Sequence, residues 1–299
     1  MSPQQFRGTG VALITPFREG RIDYAALEKI IDYQIAGGID YLVCLGTSGE
    51  AITLSSKECL DVLAFTIKQV DGRIPVVAGY FGSNYTEKLV NSTKKFNFEG
   101  VSAIMSSSPA YNKPTQEGIY RHYMELAKVS PLPIIIYNVP SRTASNVLPD
   151  TVIRLAEASD KFIAVKEASG DLNQVMYLIK HRPKDFLVLS GDDPLTLPTL
   201  ACGGDGVISV IGNVFPTEFS DMVQAALDDD WDTARRLHYD LLDVHPWLYV
   251  EGNPVGIKAA MEIMGFCTKE VRIPLVSLSD APYQKLKEAI DKVASIQGV

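Results

Sequence analysis

A lysine, two tyrosines, a threonine and an arginine stand where this chain could carry out carbonyl chemistry. Lys166 follows Phe162-Ile163-Ala164-Val165, so its side chain emerges from an apolar run. An ordinary lysine amine, with a pKa of about 10.4, is protonated at neutral pH. Desolvation disfavours the ammonium and frees the amine to attack a ketone and form a Schiff base. An isolated lysine at a strand end more commonly snorkels to water, but the company of Lys166 changes that reading. Forming and breaking an iminium requires protons to move on and off a carbinolamine oxygen. A tyrosine linked through a hydroxyl to a second tyrosine can relay them. Tyr137, Thr47 and Tyr111 supply these parts, although each taken singly also reads as a satisfied buried hydroxyl. Arg142 follows a Pro140-Ser141 turn. Its planar fork suits a substrate carboxylate, the plain alternative being a surface arginine on a loop.

Other candidates carry less. Asp192-Asp193 has the look of a metal pair, but Asp193 before Pro194 reads better as a helix N-cap. Gly203-Gly204-Asp205-Gly206 precedes an apolar run, so it reads as a turn feeding a strand and not as a phosphate loop. Cys44, Cys59, Cys202 and Cys267 lie far apart and show no zinc spacing, which speaks against a structural metal or a disulfide framework.

The elements that must position these residues are legible as eight apolar runs, each followed by a helical pattern. The runs are Val11–Phe17, Tyr41–Gly46, Pro75–Tyr80, Val101–Ser107, Pro133–Val139, Phe162–Glu167, Phe186–Gly191 and Gly206–Gly212. Their middles are nearly continuous Val, Ile, Leu and Ala, as in strands buried on both faces of a parallel sheet. Segments such as Asp23–Ala36, Ser56–Val70 and Thr86–Phe96 carry apolar residues at helical spacing. The pattern predicts a (β/α)8 TIM barrel, whose active site lies at the carboxyl ends of the strands. An open doubly wound sheet is the alternative, but Gly8-Thr9-Gly10 precedes the first predicted strand instead of following it. Thr217–Leu227 completes the barrel, and Trp231–Val244, Pro254–Gly265 and Pro282–Ile296 form a C-terminal helical extension. Asn253 is read as an N-cap and Gly265 as a C-cap. Residues 1–228 are thus expected to form the catalytic barrel and 229–299 the extension.

At 299 residues, with 46% hydrophobic and 21% charged, the composition is that of a globular protein. A net charge of −8 with scattered basic residues speaks against nucleic acid. No apolar run approaches the roughly 18 residues of a membrane span. The first residues show no apolar signal core, so the cytoplasm is the expected compartment.

Gly46-Thr47-Ser48-Gly49-Glu50, Tyr137-Asn138-Val139-Pro140-Ser141-Arg142-Thr143, Lys166-Glu167-Ala168-Ser169-Gly170 and Gly206-Val207-Ile208-Ser209-Val210 stand in a telling order. In these motifs, from about Phe6 to the C-terminus, the chain resembles the dihydrodipicolinate synthase/N-acetylneuraminate lyase family. The resemblance implies that Lys166 condenses with pyruvate and that Tyr137 is the general acid/base, with Thr47 and Tyr111 as its relay. It implies further that Thr47 and Ser48 hold the pyruvate carboxylate, with the backbone near Gly191 and Ile208 lining the floor. Arg142 matches the arginine with which the synthase branch binds its second substrate, L-aspartate 4-semialdehyde. No metal or organic cofactor is implied, because the lysine is the electron sink. A homotetramer is implied, in which Tyr111 reaches the neighbouring subunit's site. Two positions depart from the pattern: Ala110 stands where many members have a second tyrosine, and Ser48 where threonine is common.

Lysine-inhibited members of the family line an end-product cleft at positions that match Ala51, Ser56, Cys59, Asn84, Lys88 and Ala110. Only the asparagine is kept, so feedback by lysine is expected to be weak or absent. Two other readings are open at this stage. One is an N-acetylneuraminate or 2-keto-3-deoxy-sugar-acid aldolase on the same scaffold, and the other is a non-catalytic keto-acid-binding barrel.

Overall fold

The apolar runs become strands covered on both faces. The chain is seen here in a computed structural model that describes residues 2–79 and 81–297; Tyr80, at the end of the third expected strand, lies outside them. Among the described residues eight parallel strands close into a barrel. We label them β1 (Gly8–Ala12), β2 (Tyr41–Cys44), β3 (Val76–Ala78), β4 (Ala103–Ser107), β5 (Ile134–Asn138), β6 (Phe162–Glu167), β7 (Leu187–Ser190) and β8 (Gly206–Ser209). Each pairs with the next, and β8 returns to β1. Around them run α1 (Tyr24–Ala36), α2 (Ser56–Val70), α3 (Thr86–Lys95), α4 (Gln116–Val129), α5 (Pro149–Ala158), α6 (Leu172–His181), α7 (Thr196–Ala201) and α8 (Pro216–Leu227). The (β/α)8 barrel expected from the sequence is therefore what the chain forms. Past it lie α9 (Trp231–Leu242), α10 (His245–Tyr249), α11 (Val255–Ile263) and α12 (Asp280–Gln297).

Local chemistry sets the helix boundaries. Asp23 caps α1 by accepting from Ala26 N–H, and Ser55 with Glu58 forms a reciprocal capping box at α2. Gly265, in the left-handed region at φ 79°, follows α11 as the terminating glycine the sequence indicated.

Side chains from alternate strand positions fill the barrel. Val43, Val77, Met105, Ile135, Ala164, Leu187, Leu189 and Ile208 form one buried cluster. Phe6 and Tyr41 close it at the amino end, edge to face with ring centres 5.4 Å apart. A second, larger cluster lies between strands and helices.

Three local expectations need correction. The first strand spans Gly8–Ala12, so Gly8-Thr9-Gly10 belongs to it and does not precede it. Glycine is required there because a Cβ on Gly10 would lie 2.2 Å from the Tyr41 ring. Asp193 does not cap α7. Its carboxylate accepts instead from Val210 N–H at 3.0 Å and Ile211 N–H at 2.8 Å, where the chain leaves β8. Asn253 does not cap α11 either, since its side chain is engaged elsewhere.

Candidate active site

Six of the eight residues singled out in the sequence line one cavity of about 270 Å3 at the carboxyl ends of the strands: Thr47, Ser48, Tyr137, Arg142, Lys166 and Gly191. Lys166 and Tyr137 are register partners on β6 and β5, so the two side chains enter the barrel at one level. The Lys166 amine stands 4.6 Å from the centre of the Tyr137 ring. Both are buried, Lys166 with 4% of its surface exposed. The residues between them and the barrel floor are aliphatic, which keeps the surroundings of the amine apolar on that side.

The strand alternation that sends Lys166 inward sends Glu167 outward, and the outward face is fixed by amides. The buried Glu167 carboxylate accepts from Asn138 Nδ2 at 2.9 Å, Gln174 Nε2 at 2.9 Å and Ser169 N–H at 2.7 Å. Asn138 neighbours Tyr137 on β5, so this cluster joins the ends of the two strands that carry the lysine and the tyrosine. Gly191 closes the other side. A Cβ there would meet the Ala168 methyl at 2.6 Å and Lys166 Cε at 3.1 Å.

Thr47 and Ser48 sit on a loop after β2 whose backbone is strained. Leu45 (φ 63°) and Glu50 (φ 51°) occupy the left-handed region without being glycine, a conformation that costs of order 1–3 kcal/mol per residue. Ties to other elements hold it. Thr15 Oγ1 donates to Gly49 O at 2.7 Å, and Asn253 Nδ2 donates to Ser48 Oγ at 3.0 Å. Glu50 is buried and paired with Lys258. Arg142, in the one-turn helix Pro140–Thr143, projects at the exposed rim, where its Nη2 donates to the Asn253 main-chain oxygen at 3.1 Å.

Two singled-out residues are not brought into this cavity. Tyr111 is 89% exposed on the loop after β4, at φ 71°, with its N–H on Thr143 O. Ile208 is packed inside the barrel below the cavity, and Val210, two residues on, reaches the wall instead. Among the described residues the hydroxyls of Thr47 and Tyr137 are not hydrogen-bonded to each other.

The sequence reading missed Asn253 and Tyr249, both of which line the cavity from the extension, and gave Asp192 no part in it. The Tyr249 phenol donates to Asp193 at 3.3 Å, and burial, reinforced by Asp193 and Asp192, raises it well above its ordinary value, so it remains a donor. Burial and then the charge of Asp193 likewise push the Asp192 carboxyl up.

This arrangement of an amine, a phenol, hydroxyls and a guanidinium around one apolar-floored cavity can bind a small dicarboxylic or keto acid and move protons at its carbonyl. A family model described as the Dihydrodipicolinate synthetase family matches residues 5–293. The chain belongs to this family. Among its family relatives, the 4-hydroxy-tetrahydrodipicolinate synthase of Parabacteroides distasonis is 46% identical over 295 residues, covering 98% of this chain and 99% of the relative. The enzyme of the same name from Flavobacterium psychrophilum is 50% identical over 278 residues, 93% of this chain and 94% of its own. The crystal structure of dihydrodipicolinate synthase from Aquifex aeolicus, 41% identical, superposes with a TM-score of 0.92 over 96% of this chain and 98% of that one. Among the described residues no helix is long and apolar enough to cross a membrane.

Proposed function

We propose that this member of the dihydrodipicolinate synthetase family condenses pyruvate with L-aspartate 4-semialdehyde to give 4-hydroxy-tetrahydrodipicolinate, a step of lysine and diaminopimelate biosynthesis. The full-length likeness to the named synthases supports the reaction. The observation that carries the mechanism is the buried Lys166 amine beside Tyr137 at one barrel level, in a cavity rimmed by Arg142.

In this reading the Lys166 amine attacks the pyruvate ketone, and Tyr137 delivers the proton with which the carbinolamine oxygen leaves as water. Loss of a methyl proton gives the enamine, whose carbon attacks the semialdehyde carbonyl. The substrate's own amine then displaces Lys166 by transimination, closing the ring and freeing the lysine. Thr47 and Ser48 receive the pyruvate carboxylate, Gly191 lines the space beside the imine, and Arg142 receives the carboxylate of the second substrate. Ile208 acts as packing under the site.

Tyr111 completes the relay from a second copy of the chain, in a homotetramer working in the cytoplasm. Its exposure on a strand-end loop supports that role, since it is free to enter a neighbour's site. The described residues up to 228 form the catalytic barrel, and those from 229 on an extension that contributes to the cavity through Tyr249 and Asn253. Arg142 disfavours the sugar-acid aldolase reading, and the Lys166–Tyr137 pair disfavours a mere binding barrel.

Pyruvate with borohydride should add mass irreversibly to the peptide that contains Lys166, and Lys166→Ala should abolish the labelling. Labelling at another lysine would refute the mechanism. Formation of product from pyruvate and aspartate semialdehyde, with no pyruvate released from sugar acids, tests the substrate assignment.

A further inference from the structure

The loop that presents Thr47 and Ser48 is held from outside the barrel. It begins and ends on non-glycine residues in the left-handed region, Leu45 and Glu50, so its shape is not one the backbone would keep by itself. The side chain of Glu50 turns away from the cavity into a buried cluster formed with the extension. One carboxylate oxygen takes Lys258 Nζ, and the other accepts Arg272 N–H at 3.1 Å. Lys258, with 0% of its surface exposed, also donates to Glu270 O at 2.9 Å and lies 3.8 Å over the Phe17 ring.

A buried ion pair is a poor device for stability alone, because desolvating two charges offsets much of their attraction and apolar replacements often do as well. What a pair of this kind can supply is geometry. Neither Lys258 nor Glu50 lines the cavity, yet Glu50 N–H closes the turn on Thr47 O at 3.1 Å. Two residues before Glu50, Ser48 takes its own tie from Asn253 of the extension.

We propose that Glu50 and Lys258 are positioning residues for pyruvate: their buried pair locks the Thr47–Ser48 loop in the form that receives the keto acid's carboxylate. This rests on the Schiff-base reading above. The consequence is selective: loosening the pair weakens the pyruvate subsite while leaving the amine of Lys166 and the rim guanidinium of Arg142 in place.

The test uses the full chain and two variants. Glu50→Asp keeps the charge but shortens the reach, and the double variant Glu50→Gln/Lys258→Met removes both charges together. Folding is checked by circular dichroism and thermal melting. Half-saturating pyruvate is read from borohydride trapping on Lys166, alongside KM for each substrate and kcat. Half-saturating pyruvate should rise at least about tenfold in both variants, with kcat, which depends on Thr47 of the same loop, falling by a clearly smaller factor and the KM for aspartate semialdehyde changing less than about threefold. Should the double variant fail to fold, Glu50→Asp alone decides. Unchanged half-saturation in a folded variant overturns the proposal, as does a proportional loss across both substrates and kcat, which marks a merely structural pair. Absence of trapping in the unmodified protein instead defeats the Schiff-base reading itself, and this proposal with it.

Discussion

Gly191→Ala asks whether the space beside Lys166 matters to the chemistry. Gly191 is not in the left-handed region, so alanine meets no backbone penalty there and the steric term stands alone. The added methyl would lie 2.6 Å from Ala168 Cβ and 3.1 Å from Lys166 Cε. Carbon contacts settle at about 3.5–4.0 Å, so the contact with Ala168 is short by roughly 1 Å and that with Lys166 by roughly 0.4–0.9 Å. Ala168 cannot rotate away, and its N–H is held on Asn138 O at 2.9 Å. The more mobile neighbour is the lysine. Overpacking of this kind costs typically 1–3 kcal/mol of stability. A displacement of about 1 Å at a reacting group can cost on the order of a hundredfold in rate. The variant should therefore fold, melt a few degrees lower, and show kcat/KM reduced by between ten- and a hundredfold. The rate of pyruvate-dependent borohydride trapping on Lys166 should fall in parallel. Trapping and turnover within twofold of the unmodified enzyme would refute the argument that Gly191 makes room for the reacting amine.

Other consequences can be checked separately. Arg142→Ala should raise the KM for aspartate semialdehyde, by an amount on the order of 2–4 kcal/mol in transition-state terms if a bidentate pair is lost, while trapping of pyruvate on Lys166 survives. An equal effect on both substrates would make Arg142 structural. L-Lysine at millimolar concentration should inhibit little or not at all, because the positions matching the end-product cleft include Lys88 where a carboxylate would be needed. Half-maximal inhibition below about 1 mM, roughly 4 kcal/mol of binding, would contradict this. The Glu58 carboxyl is lowered to about 2, chiefly by its hydrogen bonds to Arg272 at 2.5 and 2.9 Å. A depressed carboxyl stabilises above its unfolded pKa, and that stability is lost as pH falls toward the folded value. Glu58→Gln should thus lower unfolding free energy by about 1–2 kcal/mol above pH 5, after allowance for solvent screening, with the difference closing between about pH 4 and 2. A difference constant with pH would show that this pair does not set it.

The barrel was legible because burial on both faces leaves a signature within each strand: runs such as Phe162–Val165 are apolar throughout. The strand ends followed from the same runs, and with them Lys166, Tyr137, Thr47 and Arg142, while Ser48 and Gly191 came from the family resemblance. What escaped was tertiary. Asn253 before Pro254 carries a local cap signature, yet its side chain bonds Ser48, 205 positions away. Asp193 before Pro194 misled in the same way, because it is bound by amides at the end of β8. Gly8-Thr9-Gly10 reads as preceding the first strand, because the small residues carry no apolar signal and the Tyr41 ring that fills the space beside Gly10 comes from another strand. Tyr249 gave no signal, since nothing local marks a helix end that folds back over a barrel mouth.

The rim arginine is anchored by a peptide oxygen and not by a side chain. That oxygen is presented whatever residue stands at position 253, so changes there should disturb Ser48 before they disturb Arg142. The dependence is different in the opposite direction. Replacing Arg142 to admit an uncharged aldehyde would strip a donor from a partly buried carbonyl, a loss of about 1–3 kcal/mol if nothing replaces it. A library randomised at position 142 and selected for new aldehydes should therefore return glutamine, lysine or histidine more often than its aliphatic members of similar size. The scaffold would thus constrain which new substrates are reachable in one step, favouring those that can share a hydrogen-bond donor with the chain itself.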